Sequence, residues 1–324
     1  MKSFRKSNII LILSFVFLGS TTMVAAGSYP EKPIEFVLHG SPGGGGDVFV
    51  RHTANILEKE KLVPVPIVVL NKTGGSGAIG VAYVASKKGD AYTIFATSGG
   101  VYSTLVRGEV KASLNDFVPI CALIQDPVVL AVRASAPYKN VKEFIAEARK
   151  KRKGLSVGLT TIGAGDHIIA LSIGKATGVE FNTVSFKRAP EAHMAIIGGH
   201  VDFGLYNPAE IASQIDSGQF RILATSTDRR LPLMPNVPTL KEEGVDVSYA
   251  SIRGVIAPRG MPKDAVKFWE TAFQKVTETP SWKEYVEKER VLSAYMGSAE
   301  FGKFLEKDLK RLREDLIELG LIKK

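Results

Sequence analysis

The sequence predicts an α/β fold made of two sheets, each covered by helices. Apolar strand-like runs alternate with amphipathic helical patterns from residue 33 onward. Such alternation is typical of doubly wound sheets with helices on both faces. A chain of 324 residues is long enough for two lobes rather than a single core. The predicted strands are Ile34–Leu38, Ile67–Leu70, Tyr92–Ala96, Val128–Val132, Leu155–Leu159, Asn182–Phe186, Val201–Leu205 and Arg221–Ala224.

Apolar residues recur at helical spacing in the segments between these strands. One helix is predicted over Val141 to Ala148, with Asn140 as its N-cap and Gly154 as its stop. From Pro262 onward the pattern is mostly helical, and it ends in a stripe of leucines that we expect to pack on its own lobe rather than on a partner helix. The leucines of the stripe are Leu305, Leu309, Leu312, Leu316 and Leu319.

Residues 1–26 read as an export signal. Three basic residues precede an almost wholly apolar run from Ile9 to Leu18, and Val24, Ala25 and Ala26 offer small residues for cleavage. The run is about ten residues, too short for a membrane-spanning helix of roughly 20. We therefore expect export to the periplasm with cleavage near Ala26, although secretion beyond the cell remains an alternative.

Charge and cysteine content narrow the classes of function. The signal holds three basic and no acidic residues, so the net charge of +9 falls to about +6 after cleavage. That mild excess fits an anionic solute and is too small to indicate nucleic acid as a partner. The lone cysteine, Cys121, lies in an apolar run, so we expect a buried, inert thiol and no intramolecular disulfide.

A run of four glycines, Gly43 to Gly46, precedes Asp47 between a predicted strand and a predicted helix. Glycine loses the most backbone freedom on ordering, so such a run makes sense where the backbone must approach another group closely. The first turn of a helix leaves N–H groups unpaired and carries partial positive charge. A strand, a glycine loop and a helix N-terminus together predict a receptor for a carboxylate or phosphate.

Three further loops share this character and follow carboxyl ends of predicted strands. They are Asn71 to Gly80, Thr97 to Gly100 and Thr160 to His167. Open α/β sheets bind ligands at that edge. Because the last loop falls in the second lobe, the two lobes are expected to face each other across a cleft lined by backbone N–H and hydroxyl groups.

Individual side chains in these loops have competing interpretations. Asp47 is expected to be an N-cap whose carboxylate accepts from free amides of its helix, with contact to a ligand amine as the alternative. Ser98 and Thr161 are better candidates as ligand donors, although turn stabilisation explains each about as well.

Catalytic and cofactor motifs are sparse. The spacing Gly75, Gly77 and Gly80 matches a dinucleotide fingerprint, but the acidic residue expected about 20 positions further on is missing. The sequence has no P-loop, no GxSxG elbow and no HExxH, and its five histidines lack metal-ligand spacing. We therefore predict a protein that is not an enzyme and that has no catalytic residue, cofactor or metal.

Seven segments follow one another along the chain. They are SPGGGGD, LNKTGGSGAIG, YTIFATSGG, TTIGAGDH, SFKRAPEAHMAIIGGHVDF, VPTLKEEGVDV and IRGVIAPRGMP. No single segment is specific by itself, but in this order they resemble the periplasmic substrate-binding component of the tripartite tricarboxylate transporters, the Bug or TctC family. The resemblance runs from about Tyr29 to the C-terminus.

The resemblance implies a two-lobed type II periplasmic binding protein, the Venus flytrap architecture. Lobe 1 would comprise residues 27–124 and 228–324, and lobe 2 residues 125–227, with a hinge at the two crossings. The ligand would be a small carboxylate, such as a tricarboxylate, dicarboxylate or related organic acid. The implied ligand-binding residues are Ser41, Gly43, Gly44, Gly45, Gly46, Asp47, Gly75, Ser76, Thr97, Ser98, Gly99, Thr161, Ile162, Gly163, Ala164, Gly165, Tyr206 and Asn207.

Three departures from the family pattern leave the identity of the carboxylate open: the pair His39-Gly40, Ile252 in place of a common tryptophan, and Tyr206 in place of a common aspartate. The function implied is a monomeric solute-binding protein that delivers its ligand to the membrane subunits of a tripartite transporter. A periplasmic sensor partner of a two-component histidine kinase is the first alternative, and an exported α/β enzyme is the second.

Overall fold

The computed structural model describes residues 29–151, 154–160 and 163–323, so the predicted signal peptide lies outside the described residues. Two separate sheets form the framework. We call the six-stranded sheet with its helices lobe 1, and the five-stranded sheet with its helices lobe 2. The strands of lobe 1 are β1 (Ile34–Leu38), β2 (Ile67–Asn71), β3 (Thr93–Ala96), β4 (Phe117–Pro127), β10 (Ala250–Pro258) and β11 (Leu292–Met296). The strands of lobe 2 are β5 (Val129–Arg133), β6 (Ser156–Leu159), β7 (Asn182–Ser185), β8 (Phe203–Tyr206) and β9 (Phe220–Thr225).

The strand orders are β11-β4-β10-β3-β1-β2 in lobe 1 and β7-β6-β8-β5-β9 in lobe 2. In lobe 1, β1 pairs in parallel with β2 and β3, whereas β10 runs antiparallel to both β3 and β4. In lobe 2, β6 pairs in parallel with β7 and β8, and β5 is antiparallel to β8 and β9. The carboxyl ends of the parallel strands therefore carry the loops that the sequence singled out.

Helices cover both sheets, and the predicted helix after Asn140 is confirmed. The Asn140 side chain caps it by accepting a 2.8 Å hydrogen bond from the backbone N–H of Glu143. The helices are α1 (Gly45–Lys59), α2 (Ala78–Ala85), α3 (Gly99–Arg107), α4 (Val141–Lys150), α5 (Gly165–Thr177), α6 (Ala189–Ile197), α7 (Ala212–Asp216), α8 (Lys263–Glu278), α9 (Pro280–Lys288) and α10 (Ser298–Glu318). None of the helices in the described ranges is long and apolar enough to cross a membrane.

The C-terminal leucine stripe lies on α10 and packs on its own lobe, as predicted. Leu305, Leu312 and Leu316 are buried, and Leu309 and Leu319 are partly buried against the same cluster. The spacing places one apolar face of the helix on the sheet. The helix thus stabilises the sheet of lobe 1.

The chain crosses between the lobes twice. The first crossing is direct, because β4 ends at Pro127 and β5 begins at Val129. The second takes residues 226–249, between the end of β9 and the start of β10. Strands β4 and β10, which flank these crossings, pair antiparallel along their length. Cys121 lies on β4 with a buried thiol, and that burial raises its pKa well above the ordinary value.

Candidate ligand-binding cleft

Three helices that begin with glycine meet between the lobes. An ideal Cβ placed on Gly45, the first residue of α1, would lie 3.0 Å from Nη2 of Arg253. The same construction on Gly99 of α3 and Gly165 of α5 falls 2.8 Å and 2.7 Å from the hydroxyl of Tyr249. Since α1 and α3 belong to lobe 1 and α5 to lobe 2, the glycine loops of both lobes face one interlobe cleft.

A row of polar side chains at the start of β10 and just before it lies beside these helix N-termini. Tyr249, Ser251 and Arg253 are spaced by two residues, and successive side chains of a strand alternate between its faces. Ser251 Oγ accepts a 2.8 Å hydrogen bond from the backbone N–H of Gly99. The sequence interpretation missed this row, although the alternation of polar residues with small or apolar ones was a readable signal of a half-buried strand.

Arg253 is the charged centre of the cleft. Its side chain is 7% exposed and forms an ion pair with the equally buried Asp126 of β4. Its Nη2 also donates to Oδ1 of Asn207 in lobe 2, at 3.3 Å. Burial opposes the charged form of the guanidinium, but the negative charge of Asp126 prevails and raises the pKa of Arg253. A permanent positive charge therefore lies at the first turn of α1.

Glu210 brings a carboxylate from lobe 2 to the same place. It lies on the 3₁₀ turn Pro208–Ile211 after β8, and its Oε1 is 3.3 Å from the ideal Cβ position of Gly45. Desolvation between the lobes raises the pKa of Glu210 to about 7, with the charge of Arg253 opposing the shift. Glu210 as a whole residue is nevertheless exposed to solvent.

Asp47 corrects one prediction. The N-cap of α1 is Gly44, not Asp47, which lies within the first turn and is 4% exposed. Its carboxylate accepts from the backbone of Gly43 at 3.0 Å, from Nε of Arg51 at 2.9 Å and from Nδ2 of Asn71 at 2.9 Å. Burial by itself raises the pKa of Asp47, but these hydrogen bonds outweigh it and lower the pKa. Asp47 thus fixes the glycine loop to β2.

The rest of the first glycine loop is open. Ser41, Gly43 and Gly44 are exposed, and the carbonyl of Ser41 accepts from the backbone N–H of Gly44 at 3.2 Å. A Cβ on Gly46 would lie 3.7 Å from Nη1 of Arg253. This loop therefore presents backbone, and no side chain, toward the guanidinium.

Thr97 and Ser98 differ in what remains available for a ligand. The Thr97 hydroxyl is buried, donates to the carbonyl of Gly254 at 3.1 Å and accepts from the Tyr102 hydroxyl at 2.7 Å. It therefore holds β3 against β10. Ser98 is the N-cap of α3 without a side-chain capping bond, and its Oγ lies 3.5 Å from Nε2 of His39. Ser98 stays a predicted ligand donor.

Glycines of the second and third loops enclose His39. Cβ positions on Gly77 and Gly100 would lie 3.0 Å from Cδ2 and 2.9 Å from Nε2 of His39. Burial lowers the pKa of His39 to about 4, assisted by the charge of Arg253. The glycine spacing that mimics a dinucleotide fingerprint thus accommodates a neutral imidazole. Gly75 and Ser76 form the adjacent 3₁₀ turn.

The loop of lobe 2 contacts lobe 1 directly. The carbonyl of Gly163 accepts a 2.5 Å hydrogen bond from Oγ of Ser103 on α3, and its N–H donates to Nδ1 of His167 at 3.0 Å. Ala164 is the N-cap of α5, which Gly165 begins. The predicted residues Thr161 and Ile162 lie outside the described residues. The two lobes are therefore in direct contact in this structure.

Tyr206 and Asn207 occupy different environments. Tyr206 is 5% exposed and its ring packs edge-on against His193, with centroids 4.6 Å apart. Its hydroxyl has no hydrogen-bond partner among the described residues, and Tyr206 stays a predicted ligand-binding residue. Asn207 lies at the cleft. Its Oδ1 accepts from Arg253, and its Nδ2 donates to the carbonyl of Pro127 at 2.8 Å.

Metal-binding geometry is lacking in the part of the chain that the structure describes. No group of three or more His, Cys, Asp and Glu side chains there is placed to hold a metal ion.

Comparison with known proteins defines the class as an extracytoplasmic receptor of a transporter. Residues 50–321 match the family described as "Tripartite tricarboxylate transporter family receptor" (TctC). This chain belongs to that family, whose members are periplasmic binding proteins and not enzymes.

Relatives resemble the chain over most of its length. The "UPF0065 protein in gbd 5′ region" of Cupriavidus necator is 29% identical over 317 residues, 94% of each chain. A TctC solute-binding protein from Polaromonas is 30% identical with a TM-score of 0.72, covering 90% of this chain and all of that one. A protein of R. palustris solved with adipate is 25% identical with a TM-score of 0.84, covering 90% of this chain and 98% of that one. These likenesses establish the predicted two-lobed type II binding-protein fold.

Proposed function

We propose that this protein captures a small organic acid in the interlobe cleft and delivers it to the membrane subunits of a tripartite transporter. The observation that carries the proposal is the buried guanidinium of Arg253 at the N-terminus of α1, between two lobes. A ligand carboxylate there would accept from Arg253 and from the free amides of Gly45 and Gly46. Ser98 and the amides of Ala164 and Gly165 would bind the rest of the molecule from the two sides of the cleft.

The interactions available to a ligand carboxylate in this cleft suit reversible binding. A hydrogen bond between a charged group and its partner contributes about 1.5–3 kcal/mol, and a carboxylate at a partly buried helix N-terminus gains up to about 2 kcal/mol. Two bonds to Arg253, the helix terminus and one or two contacts from lobe 2 sum to about 8 kcal/mol before the cost of lost translational and rotational freedom is subtracted, so the expected affinity is micromolar or weaker. Such affinity allows the ligand to be released when a partner opens the lobes.

Two further observations support the proposal. The R. palustris relative of known structure holds adipate, an acid whose polar groups are both carboxylates. Residues 1–26 have the composition of an export signal, which would place the mature chain, cleaved near Ala26, in the periplasm where such receptors act.

The proposal is tested by a thermal-shift panel of purified mature protein with citrate, dicarboxylates of four to six carbons, acidic amino acids and aromatic acids. Because a ligand that binds only the native state raises its melting temperature with concentration, at least one acid should do so while its amide does not. Neutral sugars or cationic amines acting instead would contradict the carboxylate assignment. Uptake of the same acid by vesicles that contain the membrane subunits should require the protein.

A matched pair of variants separates binding from stability. Arg253→Gln leaves Asp126 buried without its partner, whereas the double variant Arg253→Gln/Asp126→Asn leaves neither charge. The double variant should fold, bind the acid at least about 100-fold more weakly and show no ligand-induced thermal shift. Wild-type affinity in the double variant would exclude Arg253 as the carboxylate receptor.

A further inference from the structure

Two opposite charges flank one point at the start of α1. The ideal Cβ position of Gly45 is 3.0 Å from Nη2 and 3.4 Å from Nη1 of Arg253, and 3.3 Å from Oε1 of Glu210. Arg253 comes from a strand of lobe 1, and Glu210 from the turn after β8 in lobe 2. Their charged groups nevertheless form no ion pair among the described residues, where Arg253 pairs with Asp126. A ligand group beside Gly45 would thus contact a donor on one side and an acceptor on the other.

The lobe 2 side of the cleft is rich in acceptors. Asp166, in the first turn of α5, also carries a carboxylate near Glu210. Asp166 raises the pKa of Glu210, and both carboxylates raise the pKa of Tyr206. The lobe 1 side provides donors, namely the guanidinium and the free amides of α1, together with the buried carboxylate of Asp126, whose Oδ1 has no hydrogen-bond partner in the described part of the chain. The donors for a ligand anion therefore come from lobe 1, and the carboxylate of Glu210 meets them from lobe 2.

We propose that Glu210 is the specificity-determining residue of this cleft, and that it selects an acid bearing a hydroxyl or ammonium group next to the carboxylate bound at Arg253. The inference rests on the proposed function. An unsubstituted carboxylate bound at Arg253 would lie beside the Glu210 carboxylate with no donor of its own facing it, because Oε1 of Glu210 is 3.3 Å from the ideal Cβ position of Gly45. A neighbouring donor converts that repulsion into a hydrogen bond or ion pair. A polar group built to bind a donor also discriminates strongly against analogues that lack one.

The experiment compares acids of equal chain length that differ in the substituent at one carbon. The first set is succinate, malate and aspartate. The longer sets are glutarate, 2-hydroxyglutarate and glutamate, and adipate with 2-aminoadipate. Dissociation constants are measured by calorimetry at pH 8, above the pKa of about 7 at which Glu210 ionises. Wild-type protein should bind the hydroxy or amino acid of the best-fitting length at least about tenfold more tightly than the unsubstituted acid.

The variant Glu210→Gln should reduce that preference to about threefold or less and bind the unsubstituted acid more tightly than wild-type does. Glu180→Gln, which removes an exposed carboxylate just before β7, serves as the matched control and should keep the wild-type preference. If acids bind and Glu210→Gln leaves the ratio unchanged, the role of Glu210 is wrong while the proposed function stands. If no acid of any set binds to wild-type protein, the inference about Glu210 fails, and the proposed function fails with it only if the citrate and aromatic acids of the wider panel do not bind either.

Discussion

At the scale of single residues, the side chains that define the cleft were the hardest to predict. The glycines of α1, α3 and α5 were identified because glycine runs after strands have a clear physical purpose. Arg253, Asp126 and Glu210 were not, because a charged residue in sequence is usually a solvated surface residue. Only the pairing of β4 with β10 brings Asp126 and Arg253 together. Such long-range proximity has no local signature.

The buried ion pair yields a stability prediction. Replacing Arg253 by Gln should lower the free energy of unfolding by about 3–5 kcal/mol, because Asp126, whose pKa is raised by burial, loses the partner that stabilises its charge in a site with 3% side-chain exposure. Adding Asp126→Asn should recover most of that loss, and urea denaturation at pH 7 measures both. A single variant as stable as wild type would show that the pair does not carry charge in the native state.

His39 yields a prediction about pH. Its pKa is about 4 in the folded protein against an ordinary value of 6.5, so between these values the unfolded chain binds the extra proton more readily. The contribution to stability is therefore complete above pH 6.5 and declines as the pH falls toward 4. The variant His39→Asn should lose less stability than wild type between pH 7 and pH 5 in urea titrations. His200→Asn, at an exposed position, is the control, and equal pH slopes for wild type and His39→Asn would contradict the assignment.

At the scale of elements, the eight predicted strands are all present with ends shifted by at most two residues. The strands β4, β10 and β11 were missed. Prolines within and at the end of β4, and Arg253 and Gly254 within β10, weaken the local strand pattern. The short β11 lies in a segment that is otherwise helical. The polar alternation at the start of β10 was a local signal, but the pairing of these three strands with one another has none.

Gly254 shows how closely these elements pack. A Cβ at this position would lie 2.4 Å from the backbone oxygen of Cys121 and 2.6 Å from Cζ of Phe301 on α10. Gly254→Ala should therefore lower the free energy of unfolding by about 3 kcal/mol, since the β4 backbone cannot yield as a side chain can. Thermal and urea unfolding measure the effect.

The matched control is Gly302→Ala on α10, where the nearest atom to a new Cβ is Cγ of Pro119 at 3.6 Å. Alanine is favoured over glycine within a helix by up to about 1 kcal/mol, so this variant should be neutral or stabilised. Equal stabilities for the two variants would show that the contact between β10 and α10 is looser than described.

At the scale of the whole molecule, the structure shows the two lobes in contact. Ser103 of lobe 1 donates to Gly163 of lobe 2 at 2.5 Å, Arg290 pairs with Asp216 at 2.6 Å, and Ile168 of α5 packs in the apolar cluster of α3 and α10. A ligand shifts a two-lobed binding protein toward its closed state only by as much as it binds that state more tightly than the open one. The stability of the closed state therefore sets part of the observed affinity. Contacts between the lobes thus contribute to ligand affinity without contacting the ligand.

Removing one such contact should weaken binding. Ser103→Ala deletes a hydrogen bond worth about 0.5–1.5 kcal/mol, so the dissociation constant of the best acid should rise about two- to tenfold. Small-angle scattering should show a larger radius of gyration at subsaturating ligand. The control Ser86→Ala, at an exposed serine after α2, should change neither quantity. Unchanged affinity in Ser103→Ala would mean that the lobes do not use this contact in solution.

The most direct test of carboxylate capture is a crystal structure of the mature protein with the acid that gives the largest thermal shift. We expect a carboxylate between the lobes, within hydrogen-bond distance of the Arg253 guanidinium and of the Gly45 or Gly46 amide, with the acid chemically unchanged. An acid bound outside the interlobe cleft, or bound within it without contact to Arg253 and α1, would contradict the proposed mode of recognition.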